Sequence, residues 1–387
     1  MPFYIQRGSI PPKRHIQHRG ANGDLYYEEH VSREGFSGVY SNLYHTHLPT
    51  EVKEVRCFEP ARVEAAGDKP HGHHHFKTFR LGEKGDWVTG RVAIAFNDDL
   101  AVLTAAPQAG FDYFYRNAHA DETIYVHRGR GAMDTMYGRL SFGEGDYIVV
   151  PRGVTYRVAL EKGETRLFVV ESKGPVGIPK HFRNEHGQIL EHAPYCERDF
   201  RLPEFRPAVD EKGNFPIVVK LPGGFQRYVL AHHPFDVAGW DGFYYPWIFN
   251  IADYMPKVGK IHLPPPAHLT FDGPGFVLCS FVPRPFDFHQ QAVPIPYSHS
   301  NVDSDEVLYY AEGEFMSRKG IEPGSITLHP AGLPHGPQPG LTEKSLGAKE
   351  TRELAVMVDT FKPLLVAKDG LEADDPDYPL SWFQPSR

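Results

Sequence analysis

The sequence predicts an all-β chain made of two similar lobes, and three observations carry that prediction. Its 387 residues include 37 glycines and 35 prolines, which mark many turns between short segments. Runs such as TIYV (123–126), DYIVVP (146–151) and SITLHP (325–330) are β-branched and aromatic, and no window of comparable length keeps the 3.6-residue apolar period of an amphipathic helix. One pattern of residues also occurs twice along the chain, as a duplicated unit would produce.

In the second half, NVDSDEVLYYAEG (Asn301 to Gly313) places Glu306 seven residues before Gly313, and GSITLHPAGLPH (Gly324 to His335) follows. In the first half, NAHADETIYVHRG (Asn117 to Gly129) puts Glu122 the same step before Gly129, and GDYIVVPRGVTY (Gly145 to Tyr156) follows. The two glutamates are 184 residues apart. Each block reads as strand, turn, strand: glycine accepts the positive φ of a tight turn, and proline ends a strand because it cannot donate to a ladder. Further strands are predicted over Trp87 to Phe96, Leu100 to Ala105, Arg166 to Glu171, Phe276 to Val282 and Leu354 to Thr360. The stretch from about Gly174 to Gly224 is rich in proline, glycine and charge and reads as a link, with the lobes divided as 1–250 and 251–387.

Composition narrows the function. Hydrophobic residues make up 41% and charged residues 23%, the balance of a globular protein. Met1 to Gly20 is polar and basic without a leader-like apolar run, and nowhere do eighteen apolar residues follow one another, so a cytoplasmic protein free of the membrane is expected. The net charge of −8, without a sustained Lys/Arg cluster, argues against nucleic acid. Cys57, Cys196 and Cys279 are odd in number and far apart, which excludes a disulfide framework or zinc knuckle and predicts buried small hydrophobes.

The doublet E-x6-G followed by G-x5-P-x-G-x2-H resembles the two motifs of cupins, jelly-roll-type β-barrels that hold a metal in the barrel mouth. The chain is thus expected to be a bicupin. Its second lobe supplies two imidazoles and one carboxylate, His299, Glu306 and His335, the set that commonly holds iron(II) while leaving positions for substrate and dioxygen. Its first lobe has Tyr115 and Tyr156 where the second has His299 and His335, and so reads as a degenerate, metal-free cupin.

HHPFDVAGWDGFYYPWIFN (His232 to Asn250), GKIHLPPP (Gly259 to Pro266), PYSHSNVDSDE (Pro296 to Glu306) and HPAGLPHGP (His329 to Pro337) occur in this order, after LYHTHLPT (Leu43 to Thr50). Together they resemble the homogentisate 1,2-dioxygenase family in its shorter bacterial form, over most of the chain. The resemblance implies that homogentisate and O2 become 4-maleylacetoacetate, in tyrosine and phenylalanine catabolism, at an Fe(II) held by His299, Glu306 and His335. It places the active-site acid/base histidine at His262, a histidine that supports the iron site from behind its ligands at His329, and substrate-side residues at His262, His329, His335 and Phe315. It also implies a homo-oligomer, trimeric or hexameric. Two departures stand out: the stretch between His299 and Glu306 is one residue longer than in the animal form, and Phe315 replaces a tyrosine that steadies the acetate arm. Two other readings stay open, a cupin dioxygenase for another hydroxylated aromatic acid such as gentisate, and a non-catalytic bicupin that binds small molecules.

Two histidine-rich stretches are set aside. HGHHH (His71 to His75) is dense in histidine, but no carboxylate stands at a motif-like spacing from it. His45 and His47 share a strand face, and LYHTHLPT reads as a structural or interface block. Asp305, beside Glu306, is the alternative carboxylate. The seven-residue step to glycine, shared with Glu122, selects Glu306, because neighbouring strand residues face opposite sides.

Overall fold

Strand alternation decides how each lobe is built. In Asp305–Glu312, the side chains of Glu306, Leu308 and Tyr310 line a cavity inside the second lobe, while Val307 and Tyr309 join the main hydrophobic core. The computed structural model describes residues 3–67 and 71–383. Among them the expectation of an all-β chain with two related lobes holds, the one α-helix being Leu341–Ser345.

The first lobe has two large sheets. The eight-stranded one includes, as neighbours, Asp146–Val150, Asp121–Arg128, Arg166–Ser172, Leu100–Ala105 and Arg91–Phe96. The seven-stranded one carries Thr155–Leu160 next to Phe114–Asn117, followed by Lys212–Leu221, Gly224–His232 and Val52–Pro60. The sheets meet where Tyr115 and Tyr156 of the second reach Glu122 of the first. The second lobe is a six-stranded sheet in the order Leu269–Gly273, Phe276–Phe281, Leu354–Thr360, Asp305–Glu312, Ile326–His329 and His74–Phe76.

The lobes pack through the strand faces that point away from their interiors. Tyr309 stacks on Phe168 with ring centroids 4.9 Å apart, and its hydroxyl lies 2.6 Å from His127 Nδ1. Tyr147 reaches Ser280 at 2.9 Å. Two strands also cross between lobes. His74–Phe76 pairs with Ile326–His329, and Leu365–Val366 pairs with Arg91–Phe96. The HGHHH stretch is therefore a strap: His71 and His73 reach the carbonyls of Ala331 and Pro334, His74 pairs with Asp374 at 3.0 Å, and His75 meets Ser325 Oγ at 2.9 Å.

Three local expectations are corrected. The strand predicted from Trp87 begins at Arg91, because Asp86 Oδ1 accepts the backbone N–H groups of Val88 and Thr89 at 2.8 Å each and holds a turn there. The link region contains a ten-residue strand, Lys212–Leu221, hidden from a compositional reading by Gly213 and Pro216. Of the three cysteines, all free, Cys279 is buried but Cys57 is exposed and Cys196 half-buried, since Cys57 lies on the edge strand Val52–Pro60. Among the described residues, no helix is long and apolar enough to cross a membrane.

His45, in LYHTHLPT, ends the strand Ser37–His45 and is buried between two carboxylates, with Nδ1 2.7 Å from Asp236 and Nε2 3.0 Å from Glu29. Burial alone would lower its pKa, but the bonds to Asp236 and Glu29 prevail and raise it from 6.5 to about 9. A raised histidine pKa stabilises the fold fully below its unfolded value, and that contribution disappears as pH rises through the folded value. Chemical unfolding of the wild type and His45→Gln should therefore differ most below pH 6.5 and converge as pH passes about 9. A difference that widens with pH would contradict the ion-pair role.

Candidate metal centre

Glu306 owes its direction to register. It pairs across the sheet with His329 on one side and Asp359 on the other. Its neighbour Asp305 points to the opposite face, where its oxygens accept the backbone N–H groups of Ala331 and Leu364, each at 2.7 Å. Asp121, its counterpart in the first lobe, likewise accepts the N–H of Arg152. Asp305 is thus a structural carboxylate that ties the strand to the following loops.

His299 and His335 come together through a pair of backbone hydrogen bonds, His299 N to His335 O at 2.8 Å and the reverse at 2.9 Å. Their rings then face Glu306, with Nε2 of His299 3.7 Å from Oε2 and Nε2 of His335 3.4 Å from Oε1. Within the described residues this is the one group of His, Cys, Asp or Glu donors found suited to a metal ion, its ligand atoms all within 4.8 Å of one another. Burial would raise the Glu306 pKa, but the surrounding imidazoles of His299, His329 and His335 hold the carboxyl well below its usual range. The set fits a divalent ion in two respects: its donors are two imidazoles and a carboxylate, and the buried Nε2 of His335 has no hydrogen-bond partner among the described residues.

The expected substrate-side residues divide. His262 and Phe315 line the same cavity of about 480 Å³ as the triad. His262 packs edge-on against Tyr297 with centroids 5.2 Å apart, and burial lowers its pKa. Phe315, where a tyrosine was the family expectation, packs edge-to-face against Tyr310 with centroids 4.6 Å apart and presents no hydroxyl. His329 does not face the cavity. It is fully buried behind Glu306, with Nδ1 2.8 Å from the carboxylate and Nε2 3.2 Å from the Tyr378 hydroxyl, so it braces that carboxylate from the side away from the cavity. Burial lowers its pKa to about 3, which keeps the ring neutral.

Two cavity residues were not anticipated. Arg318 brings a guanidinium to the wall and lies over the Trp382 ring at 5.5 Å, with its Nη1 donating to the carbonyls of Ser317 and Gly336. Asp359 lines the cavity beside Glu306, and its buried Oδ1 has no partner among the described residues. No motif marks either residue. Cross-strand pairing is what reveals Asp359.

The first lobe repeats this arrangement without the histidines. Tyr115 pairs with Tyr156 as His299 does with His335, and Glu122 pairs across the sheet with Glu171 as Glu306 does with Asp359. In place of a metal there is Arg91. Its Nη1 lies 2.5 Å from Glu122 and 2.7 Å from Glu171, and Tyr156 donates to Glu122 at 2.6 Å. Burial opposes the guanidinium charge, but Glu122, Tyr156 and Glu171 outweigh it and raise the Arg91 pKa. A covalent, permanent cation thus compensates the first lobe's buried carboxylates.

A family model described as "Homogentisate 1,2-dioxygenase N-terminal" matches residues 65–251, which takes in the lobe built around Arg91. A protein of Saccharolobus solfataricus named "Putative dioxygenase" is 42% identical over 386 residues, covering 99% of this chain and 100% of that protein. Among solved structures, the chain is similar to a cupin 2 conserved barrel domain protein from Leptotrichia buccalis (10% identical, TM-score 0.34, covering 79% of this chain and 100% of the other). It is similar also to protein Ylba from E. coli (8% identical, TM-score 0.34, covering 78% and 93%).

The geometry makes a graded prediction for metal content after reconstitution. His335→Ala and Glu306→Gln should lose the metal, whereas Asp305→Asn and Tyr156→Phe should keep one ion per chain. Elemental analysis showing metal retained in Glu306→Gln and lost from Asp305→Asn would refute the register argument.

Proposed function

The chain belongs to the homogentisate 1,2-dioxygenase family, and from that premise we propose that it is an iron(II)-dependent dioxygenase that converts homogentisate and O2 to 4-maleylacetoacetate. The observation that carries the reading is the convergence of His299, Glu306 and His335 on one cavity that also presents His262 and Arg318. Iron(II) bound by that triad would bring an electron-rich ring and dioxygen into one coordination sphere.

The chain's own residues supply the rest. A ring hydroxyl has a pKa near that of tyrosine, ~10, so its proton needs an acceptor within reach. His262, made less basic by burial, is neutral at pH 7 and can take that proton at a ring nitrogen. Arg318 gives the wall a fixed positive charge to complement the carboxylate of an aromatic acid, on the same loop as Phe315. Leu308, Phe315, Ala355 and Met357 furnish apolar surface for the ring and limit water around it. His329 and Tyr378 hold the Glu306 carboxylate in place from behind.

Phe315 favours one second reading. Without a hydroxyl at that position, the acetate arm of homogentisate has lost a partner, and a ring whose carboxylate is attached directly, such as gentisate, becomes a competitor.

Anaerobic reconstitution with iron(II), followed by oxygen-uptake measurements with each acid, separates the readings. Homogentisate should consume one O2 per ring and give 4-maleylacetoacetate. Uptake with gentisate alone would overturn the substrate assignment, and uptake with neither would overturn the activity. His262→Ala should retain iron and lose about 10²- to 10⁴-fold in turnover, the usual effect of removing a general acid/base; near-normal turnover at saturating substrate would remove His262 from the chemistry.

A further inference from the structure

The internal duplication shows what a cupin of this chain does with a carboxylate directly across the sheet from its site glutamate. In the first lobe that position is Glu171, and it is fully used. Arg91 Nη1 donates to it at 2.7 Å and Lys220 Nζ at 2.5 Å, both from within the protein. In the second lobe the position is Asp359, paired with Glu306 in the same register. It too lines the interior, but its buried Oδ1 meets no donor among the described residues. A buried acceptor left without a donor is costly, and such groups in native structures are usually completed by a ligand, an ion or water.

The cavity walls do not supply the donor. Asp359 shares its strand's inward face with Ala355 and Met357, both without donors in their side chains. Arg284, which also lines the cavity, is engaged with Glu353 at 3.0 Å. Asp305, the other acid of this region, is satisfied by two backbone N–H groups and lies on the opposite face. Asp359 is therefore an open carboxylate acceptor, with the Ser304 hydroxyl likewise unpartnered among the described residues, in a cavity already provided with a base, His262, and a cation, Arg318.

We infer that Asp359 is a substrate-binding residue that accepts a hydrogen bond from a hydroxyl group of the aromatic ring. The inference rests on the reading of this cavity as the site for a dihydroxylated aromatic acid, and it adds the residue that distinguishes such a ring from one lacking that hydroxyl. A site built to bond a hydroxyl discriminates strongly against the analogue without it, since the acceptor is then left buried and alone.

The test is a binding cycle on the iron-loaded protein without oxygen, by calorimetry. The wild type and Asp359→Leu are compared with homogentisate and with its two monohydroxy analogues, 2-hydroxyphenylacetate and 3-hydroxyphenylacetate. Asp359→Leu, which removes the acceptor, should keep its iron and bind homogentisate on the order of 10- to 100-fold more weakly, the range for leaving a buried hydroxyl without its partner. The analogue that lacks the bonded hydroxyl should bind weakly to the wild type and lose almost nothing further in the variant. Equal binding of homogentisate by both proteins, or an equal loss for all three ligands, would overturn the inference alone. Loss of iron from Asp359→Leu would also overturn it, by assigning the carboxylate to the metal. No binding of any of the three acids by the wild type would overturn the substrate reading beneath it.

Discussion

Each lobe of this chain buries a glutamate at a strand position shielded from solvent, and a buried carboxylate must be compensated by positive charge or by several hydrogen bonds. The two lobes meet this demand differently. Around Glu122 the protein uses its own cation, Arg91, together with Tyr115, Tyr156 and Asn117. Around Glu306 it provides three imidazoles and, among the described residues, no Lys or Arg within ion-pair distance of the carboxylate. A neutral imidazole ligates a metal and a guanidinium cannot, so the same strand framework gives a closed ion pair in one lobe and a cation-binding site in the other.

The rest of the architecture keeps these two glutamates in register. The faces of Asp121–Arg128 and Asp305–Glu312 that point away from the sites pack on each other's lobes through Tyr125, His127, Phe168 and Tyr309. A one-residue slip in either strand would turn the glutamate into that interface and the aromatics into the cavity, so packing and site chemistry enforce the same alignment. The HGHHH strap adds a backing layer to the second lobe. His73 contacts His329 and Trp382 at centroid distances of 5.4 and 5.0 Å, and His75 contacts Tyr378 at 5.3 Å. A histidine-dense segment thus serves here as packing and hydrogen bonding, with burial lowering the pKa of His73 and of His75 to about 4.

What the sequence made legible is what the motif spacing encodes locally. The step from glutamate to glycine sets both the turn and the face of the preceding strand, which is why Glu306 could be separated from Asp305 before any coordinates, and why Tyr115 and Tyr156 could be matched to His299 and His335. What stayed hidden depends on pairings between distant strands. Asp359 belongs to a strand that the sequence predicts, Leu354 to Thr360, but which of its residues meets Glu306 depends on sheet register. Arg91 follows a turn capped by Asp86 and gives no signal that its guanidinium ends at Glu122. His329, which the family resemblance places behind the iron ligands, bonds Glu306 from the side away from the cavity, and the geometry supplies the atoms of that contact. The family match adds a further lesson, since it falls on residues 65–251, the lobe without the histidine pair, while the full-length relative extends the kinship over the metal lobe.

We propose that the second lobe holds iron where the first holds an arginine. Anomalous scattering from iron-soaked crystals, recorded on both sides of the iron absorption edge, tests it most directly. The account predicts a single strong difference peak per chain, between His299, Glu306 and His335, and none beside Glu122. A peak in the first lobe, or a peak in the second that is bound through Asp305 or the HGHHH strap instead of the triad, would contradict it.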